Sequence, residues 1–229
     1  MNGNTPLFVF NNHDNVRSVN RLGNGTHKDA LARMLATLML TPRASALMYY
    51  GEELGMENDD PKRKEDVKDI VGIRGWPEDK GRDGERKPMQ WNGDTTAGFS
   101  TSQTPWLSVA PGYEKVNVSA ETRDPASLLN YYKALLRLRK SDPALRDGDF
   151  ALLNEDDPSV LLFVRRAPDG TAALIALNCT PEAHSIAVRG LPERSGKVLL
   201  SSFAAVGTAL DTGTLQLPPY GALVARLAR

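Results

Sequence analysis

Residues 8–18 read FVFNNHDNVRS, and the abrupt change of character inside this stretch decides how the rest of the chain is read. Three apolar β-formers, Phe8, Val9 and Phe10, run straight into Asn11, Asn12, His13 and Asp14. With Pro6 and Leu7 in front, residues 6–12 have the pattern of a short buried strand bounded by polar turn residues. Its C-terminal end delivers an imidazole and a carboxylate to the edge of water. Working outward, THKDALARMLATLML (26–40) predicts a helix. Thr26 supplies a capping hydroxyl and Asp29 an acid in the first turn. Leu31, Met34, Leu35, Leu38 and Met39 recur at helical spacing and form one apolar, core-facing stripe. Pro42 ends the helix, and ASALMYY (44–50) is a second apolar run that stops at GEELGM. Strand, helix and strand in this order form a βα unit followed by the next parallel strand. Parallel α/β folds build their sites at the C-terminal strand ends.

Residues 51–123 hold much of the Gly, Pro and charge. Trp76, Met89, Trp91, Phe99 and Trp106 are spread through them, unlike a disordered linker, so a long ordered loop crossing a site is predicted. DPASLLNYYKALLRLRK predicts a second helix, capped by Asp124 with Pro125 at its first position. Leu128, Tyr132, Leu135 and Leu136 are placed on one face, with Arg137, Arg139 and Lys140 in the last turn. From Phe150 on, six or seven short β-runs separated by turn signals predict an antiparallel β-sandwich.

The chain has 229 residues, 41% apolar and 24% charged, with 28 Lys plus Arg against 28 Asp plus Glu. That is ordinary for a soluble globular protein and argues against nucleic acid or an anionic membrane as partner. No 18-residue apolar run is present, and MNGNTPLF lacks the features of a secretion signal. The single cysteine, Cys179, precludes a disulfide framework within the chain and is placed at a strand end or in the core. A cytoplasmic location follows as the simpler reading. His13, His27 and His184 share no metal-ligand spacing. The Asn-x-Ser/Thr triplets at Asn24, Asn117 and Asn178 read as chance matches.

Three segments in this order carry a resemblance. FVFNNHDNVRS resembles the fourth signature region of glycoside hydrolase family 13, the α-amylase and α-glucosidase family, in which the seventh barrel strand ends in Asn-His-Asp. ALMYYGEELGM resembles the eighth strand and its following loop. GRDGERKPMQWN with the later AGFS resembles a segment typical of the α-glucosidase and oligo-1,6-glucosidase branch. The resemblance runs from about residue 6 to the end. It implies an α/β plus all-β chain: the last two βα units of a (β/α)8 TIM barrel over residues 1–145, including the long loop 51–123, then an antiparallel β-sandwich over 146–229. A complete barrel takes about 250 residues, so the chain resembles the C-terminal part of a family member. One departure stands out. Relatives usually carry a proline in the stretch matching KDIVGIRGWP, where this chain has Ile70 and Val71.

The resemblance also implies roles. Retaining glycosidases use a nucleophile and a general acid/base about 5 Å apart. In this family they follow the fourth and fifth strands, which are not matched here. Asp14 corresponds to the family's third carboxylate, which grips hydroxyls of the distorted sugar and favours the transition state. His13 corresponds to a histidine that hydrogen-bonds the same sugar, and Arg82 and Arg86 to arginines that approach the terminal glucose. Arg17 has no assigned role, and Glu52 or Glu53 would shape the pocket wall. Taken alone, Asn-His-Asp reads equally well as a turn, and Arg82 and Arg86 as solvated charges beside Asp83 and Glu85. The implied partners are an α-gluco-oligosaccharide substrate and an N-terminal barrel fragment or parent chain. No cofactor is assigned, and the family's usual calcium ligands lie outside the matched part. A second reading is a non-catalytic carbohydrate-binding sandwich. Its only aromatics are Phe150, Phe163, Phe203 and Tyr220, the first three placed in the core. A third is a complementing fragment that associates through its unpaired strand edges.

Overall fold

The computed structural model describes residues 5–23 and 25–228; the Asn24 triplet lies outside the described residues. Two compact units emerge. One comprises Met1–Phe8, His27–Ala46 and Tyr132–Arg229, the other Val9–Thr26 and Leu47–Tyr131.

The N-terminal region runs β1 (Leu7–Val9), α1 (Ser18–Arg21), α2 (Lys28–Leu40) and β2 (Ser45–Leu47), and β1 pairs with β2 in a two-stranded sheet. The strands are shorter than the apolar runs that contain them. They are also not buried: Leu7 is 60% exposed and Leu47 52%. A strand is covered on both sides only when further strands and a second layer flank it, and no described strand flanks this pair. Helix α2 follows its predicted span, but the residue at its N-cap is His27, in a left-handed conformation at φ 56° and without a side-chain cap bond, rather than Thr26. Asp29 instead pairs with Arg33 one turn on, at 2.7 Å. The helix is buried around most of its girth, Ala36 and Met39 completely, because it lies against β5 and β10 of the sheet described below.

The segment after β2 is irregular, with short helical turns, α3 (Ile70–Gly75) and α4 (Val118–Arg123). The aromatic residues that predicted an ordered loop do not hold it together. Trp91, Phe99 and Trp106 are exposed, Trp106 by 66%. Two kinds of buried group do so instead: an apolar cluster of Leu54, Met56 and Leu129 with Met89, Val116 and Val118 packed against it, and the buried polar Asp69, Asp83, Glu85, Lys87, Gln90 and Asn117. Loop backbone satisfied by side chains adds to that apolar cluster here.

Helix α5 (Leu128–Ser141) starts later than predicted. Asp124 caps only the preceding turn, accepting from the Ala126 amide at 2.9 Å, while the Ser127 hydroxyl accepts from the Asn130 amide at 3.2 Å. Leu136, placed on the apolar face, is exposed; Leu129 and Tyr131 are buried with Leu128, Tyr132 and Leu135. Arg139 does not simply decorate its own helix end. It donates to the carbonyls of Leu40 (2.6 Å) and Ala44. Unpredicted from sequence, α6 (Pro143–Asp147) follows, with Pro143 in its first turn and Asp142 accepting from the Ala144 amide at 2.9 Å.

The remainder is antiparallel throughout. A six-stranded sheet has the order β3 (Asp149–Leu152), β4 (Val160–Arg166), β5 (Ala172–Asn178), β10 (Ala222–Leu227), β7 (Ser195–Ser201), β8 (Ala209–Asp211); β6 (His184–Ala187) pairs with β9 (Thr214–Leu217). The strands number eight, because β8 occupies a stretch too short to show alternation. Leu162, Val164, Leu174 and Ala176 share one cluster with Ile186, Leu215 and Leu217 of the small sheet. The odd-numbered Phe163, Ile175 and Leu177 alternate out of that cluster yet are also fully buried, on the side where α2 and α6 contact β4, β5 and β10. Coverage on both faces explains why β5 reads AALIALN, apolar without alternation. Phe163→Ala is therefore expected to cost about 3–5 kcal/mol. Urea unfolding checks it, and a loss below about 1 kcal/mol would place the core elsewhere. Phe203, placed in the core from sequence, is 42% exposed, whereas Tyr220 is buried. Cys179, just past β5, is exposed. No helix among the described residues is long and apolar enough to cross a membrane.

Candidate functional site

All four residues singled out in the sequence, His13, Asp14, Arg82 and Arg86, lie in the second unit, and the structure brings them together. The chain leaves β1 and forms a tight turn: Asn12 Oδ1 accepts from the Asp14 amide and from Asn15 Nδ2, both at 2.9 Å. This side-chain-mimicked turn presents His13 and Asp14 outward, their side chains 67% and 49% exposed. The turn reading and the site reading are thus compatible.

Arg82 NH1 donates to Asp14 Oδ1 at 2.7 Å, and Arg86 NH2 donates to the same oxygen at 3.1 Å. Arg86 Nε donates to the His13 carbonyl at 2.8 Å. His13 Nε2 stands 3.4 Å from Asp14 Oδ2. One carboxylate oxygen is therefore taken by two guanidinium groups, and the other faces the imidazole. The Arg82 hydrogen bond, first, and then the charges of His13 and both arginines hold the Asp14 carboxyl below the usual carboxylate range. It stays ionised in moderately acid solution.

Sequence reasoning missed what holds Arg82. Asp69, buried, accepts from Arg82 Nε at 2.7 Å, from NH2 at 2.9 Å and from the Arg82 amide at 2.9 Å. The fork-on-fork geometry leaves NH1 to point at Asp14. The Asp69 carboxyl consequently sits far below its ordinary range, chiefly through the Arg82 side chain. Asp69 also caps α3. The stretch Ile70–Val71 that departs from the family's proline is thus the start of a short helix, with the Val71 amide donating to Asp69 at 3.4 Å. Asp83 is wholly buried and accepts from the Lys68 amide (2.6 Å) and the Asp69 amide (3.1 Å), shaping the loop that carries Asp69. Glu85 is buried as well and accepts from Asn58 Nδ2 at 3.2 Å. Neither acid is the solvated neighbour that sequence spacing suggests.

Arg17, unassigned from sequence, is 1% exposed. Its guanidinium donates to the carbonyls of Tyr50 (2.9 Å) and Glu85 (3.0 Å) and lies 5.2 Å from the centres of the Tyr49 and Tyr50 rings. Its amide donates to Asn58 Oδ1 at 2.7 Å. Arg17 thus ties the turn bearing Asp14 to the segment after β2 and to the segment bearing Arg86. Gly51 makes room for it: at φ 82°, a Cβ there would lie 2.4 Å from Met56 Sδ and 3.2 Å from Arg17 NH1. No sequence signal separates such a buried arginine from a solvated one. Glu52 is buried and Glu53 half-buried, so Glu52 forms no exposed wall.

A separate cavity of about 540 Å³ is lined by Asp59, Lys62, Lys68, Asp83, Lys87 and Trp106 among others, and by none of the four candidate residues. Its charges are partly self-paired, Lys87 to Asp59 at 3.0 Å. Among the described residues, no group of three or more His, Cys, Asp or Glu side chains is arranged to hold a metal ion.

Residues 1–148 match the alpha amylase catalytic domain. The chain is 38% identical over 223 residues to a probable alpha-glucosidase of Rhizobium meliloti, covering 96% of this chain and 39% of that protein. It is 34% identical over 241 residues to the oligo-1,6-glucosidase of Parageobacillus thermoglucosidasius, covering 96% of this chain and 42% of that one. Among solved structures, the trehalose-6-phosphate hydrolase of Bacillus licheniformis superposes with a TM-score of 0.84 at 27% identity, over 98% of this chain and 43% of that one. The trehalulose synthase of Pseudomonas mesoacidophila gives 0.82 at 28%, over the same shares. The chain thus spans about two fifths of the length of its relatives, as their C-terminal portion, and it belongs to the alpha-amylase family, glycoside hydrolase family 13.

Proposed function

We propose that this chain carries the sugar-gripping side of a retaining α-glucosidase centre that acts on α-linked gluco-oligosaccharides. The observation that carries the reading is the clamp on Asp14. An exposed, ionised carboxylate is fixed by two arginines and flanked by an imidazole. Asp14 accepts hydrogen bonds from hydroxyls of the terminal glucose and strengthens them as the ring flattens toward an oxocarbenium-like transition state. His13 hydrogen-bonds the same sugar. Arg82 and Arg86 orient the carboxylate and reach neighbouring hydroxyls. The nucleophile and the general acid come from residues outside these 229, on the fourth and fifth barrel strands. Residues 1–145 are then the last part of the catalytic barrel, with 51–123 as its long loop, and 146–229 the sandwich that follows it. The exposed Leu7, Val9 and Leu47 of β1 and β2 are the faces that the remaining strands would cover. The carbohydrate-binding alternative is weaker, because Phe203 is the one exposed aromatic of its four.

Turnover of p-nitrophenyl α-glucoside tests this. The 229-residue chain alone should show none above background. The same chain, joined in place of the matching C-terminal portion of the Rhizobium meliloti relative, should turn it over. Activity of the isolated chain, abolished by Asp14→Ala, would show that both missing carboxyls are present here after all.

A further inference from the structure

Asn11 precedes the Asn12–His13–Asp14 turn, and its side chain closes that loop from both sides. Its Oδ1 accepts from the Ser18 amide at 2.6 Å, joining the start of the loop to its end. Its Nδ2 donates to Glu52 Oε2 at 2.5 Å. Glu52 comes from a different segment, the turn Glu52–Leu54 that follows β2. Asn11 and Glu52 are only 4% and 7% exposed. Within the described residues, the second carboxyl oxygen of Glu52, Oε1, is buried with no hydrogen-bond partner.

A buried carboxylate with one oxygen unpaired is costly, and the neutral acid much less so. Burial accordingly pushes the Glu52 carboxyl up to about 7, against the pull of the Asn11 amide and the Tyr49 backbone. The charged neighbours divide. Glu53 disfavours ionisation and Arg17 favours it. The Tyr49 and Tyr50 phenols stack over Arg17 rather than on Glu52.

We infer that Glu52 is a positioning residue of the Asp14 loop: through Asn11 it fixes where His13 and Asp14 stand while neutral, and it releases the loop on ionising. The consequence for catalysis rests on the proposed role of Asp14; the effect on the loop does not.

Amide hydrogen exchange of the 229-residue chain reads the loop directly. After correction for intrinsic rates, residues 11–18 should exchange roughly tenfold faster at about pH 8.5 than at about pH 6. The β5 segment 172–178 should be unchanged. E52Q keeps a donor and acceptor but cannot ionise, so it should hold the loop closed at both values. E52L should leave it open at both. If E52L perturbs β5 as well and so has not folded, N11A takes its place and should give the same open loop. A wild-type loop indifferent to pH, a pH response that survives E52Q, or a loop still closed in both E52L and N11A would each overturn the inference. In the joined enzyme, E52Q should flatten the alkaline limb of kcat/KM. An exchange pattern as described with an unaltered limb would leave the loop clamp standing and count against the sugar-gripping role of Asp14.

Discussion

Asp14→Asn in the joined, active enzyme is expected to lower kcat for p-nitrophenyl α-glucoside by about 10³-fold while leaving the melting temperature within a degree or two. The reason lies in the division of labour at this carboxylate. Arg82 is anchored by Asp69 through three hydrogen bonds of its own, so it does not depend on Asp14 for its place. Asp14 is half exposed, and its loss uncovers no buried charge. Its negative charge matters only where positive charge develops on the sugar, so the loss should fall on kcat more than on KM. Removing one preorganised electrostatic contact of this kind costs about 10²–10³-fold elsewhere; two arginines already bearing on the same oxygen place Asp14 at the upper end. A tenfold effect or less would remove it from the reacting centre.

Arg82→Ala should behave differently, because it strikes both stability and activity. It leaves Asp69, whose side chain is 3% exposed, charged and without its guanidinium. Stranding one partner of a buried pair is destabilising; Arg82 is itself one third exposed, so solvent screens part of the loss, but a fall in the denaturation midpoint is expected. The pH dependence follows from the sign of the shift. In the wild type the Asp69 carboxyl is depressed on folding, so its contribution is full above the ordinary carboxylate range and is lost as pH falls below it. Arg82→Ala abolishes that contribution, so the variant and wild type should converge in stability as acid is added. Arg86→Ala has no buried partner to strand and should lower activity with little loss of stability. A variant Arg82→Ala as stable as Arg86→Ala would show that the Asp69 clamp is not made in solution.

How much of this could be read from the chain depends on whether a feature is local. Helix α2 is legible because its apolar spacing and Pro42 act within a few residues. The antiparallel tail is legible because its strands carry apolar runs between turn residues, except β8, three residues long. His13, Asp14, Arg82 and Arg86 could be nominated because short motifs carry them. The residues that hold them could not. Asp69 and Arg82 are 13 apart, Arg17 and Glu85 are 68 apart, and Asn11 and Glu52 are 41 apart; each pairing depends on how a long irregular segment folds back. Burial misled for the same reason. Phe8 and Val9 read as a buried strand, but burial belongs to the layers around a strand, and in the described residues β1 has only β2 beside it. The order of the loop was inferred from Trp76, Met89, Trp91, Phe99 and Trp106, of which Trp91, Phe99 and Trp106 turn out to be exposed and Met89 packs on the cluster of Leu54, Met56 and Leu129; Asp83, Glu85 and Lys87 are buried beside them, and charged residues give no sequence sign of being inside.

The most direct measurement is a crystal structure of the joined enzyme with 1-deoxynojirimycin, a glucose-shaped piperidine whose protonated nitrogen mimics the charge that develops on the sugar, soaked into the centre. Asp14 should accept hydrogen bonds at about 2.6–3.0 Å from two of its hydroxyls, with Arg82 and Arg86 still on the carboxylate and His13 on a neighbouring hydroxyl. An inhibitor seated beyond hydrogen-bond reach of Asp14, with the carboxylate turned wholly into the two arginines, would contradict the proposed role.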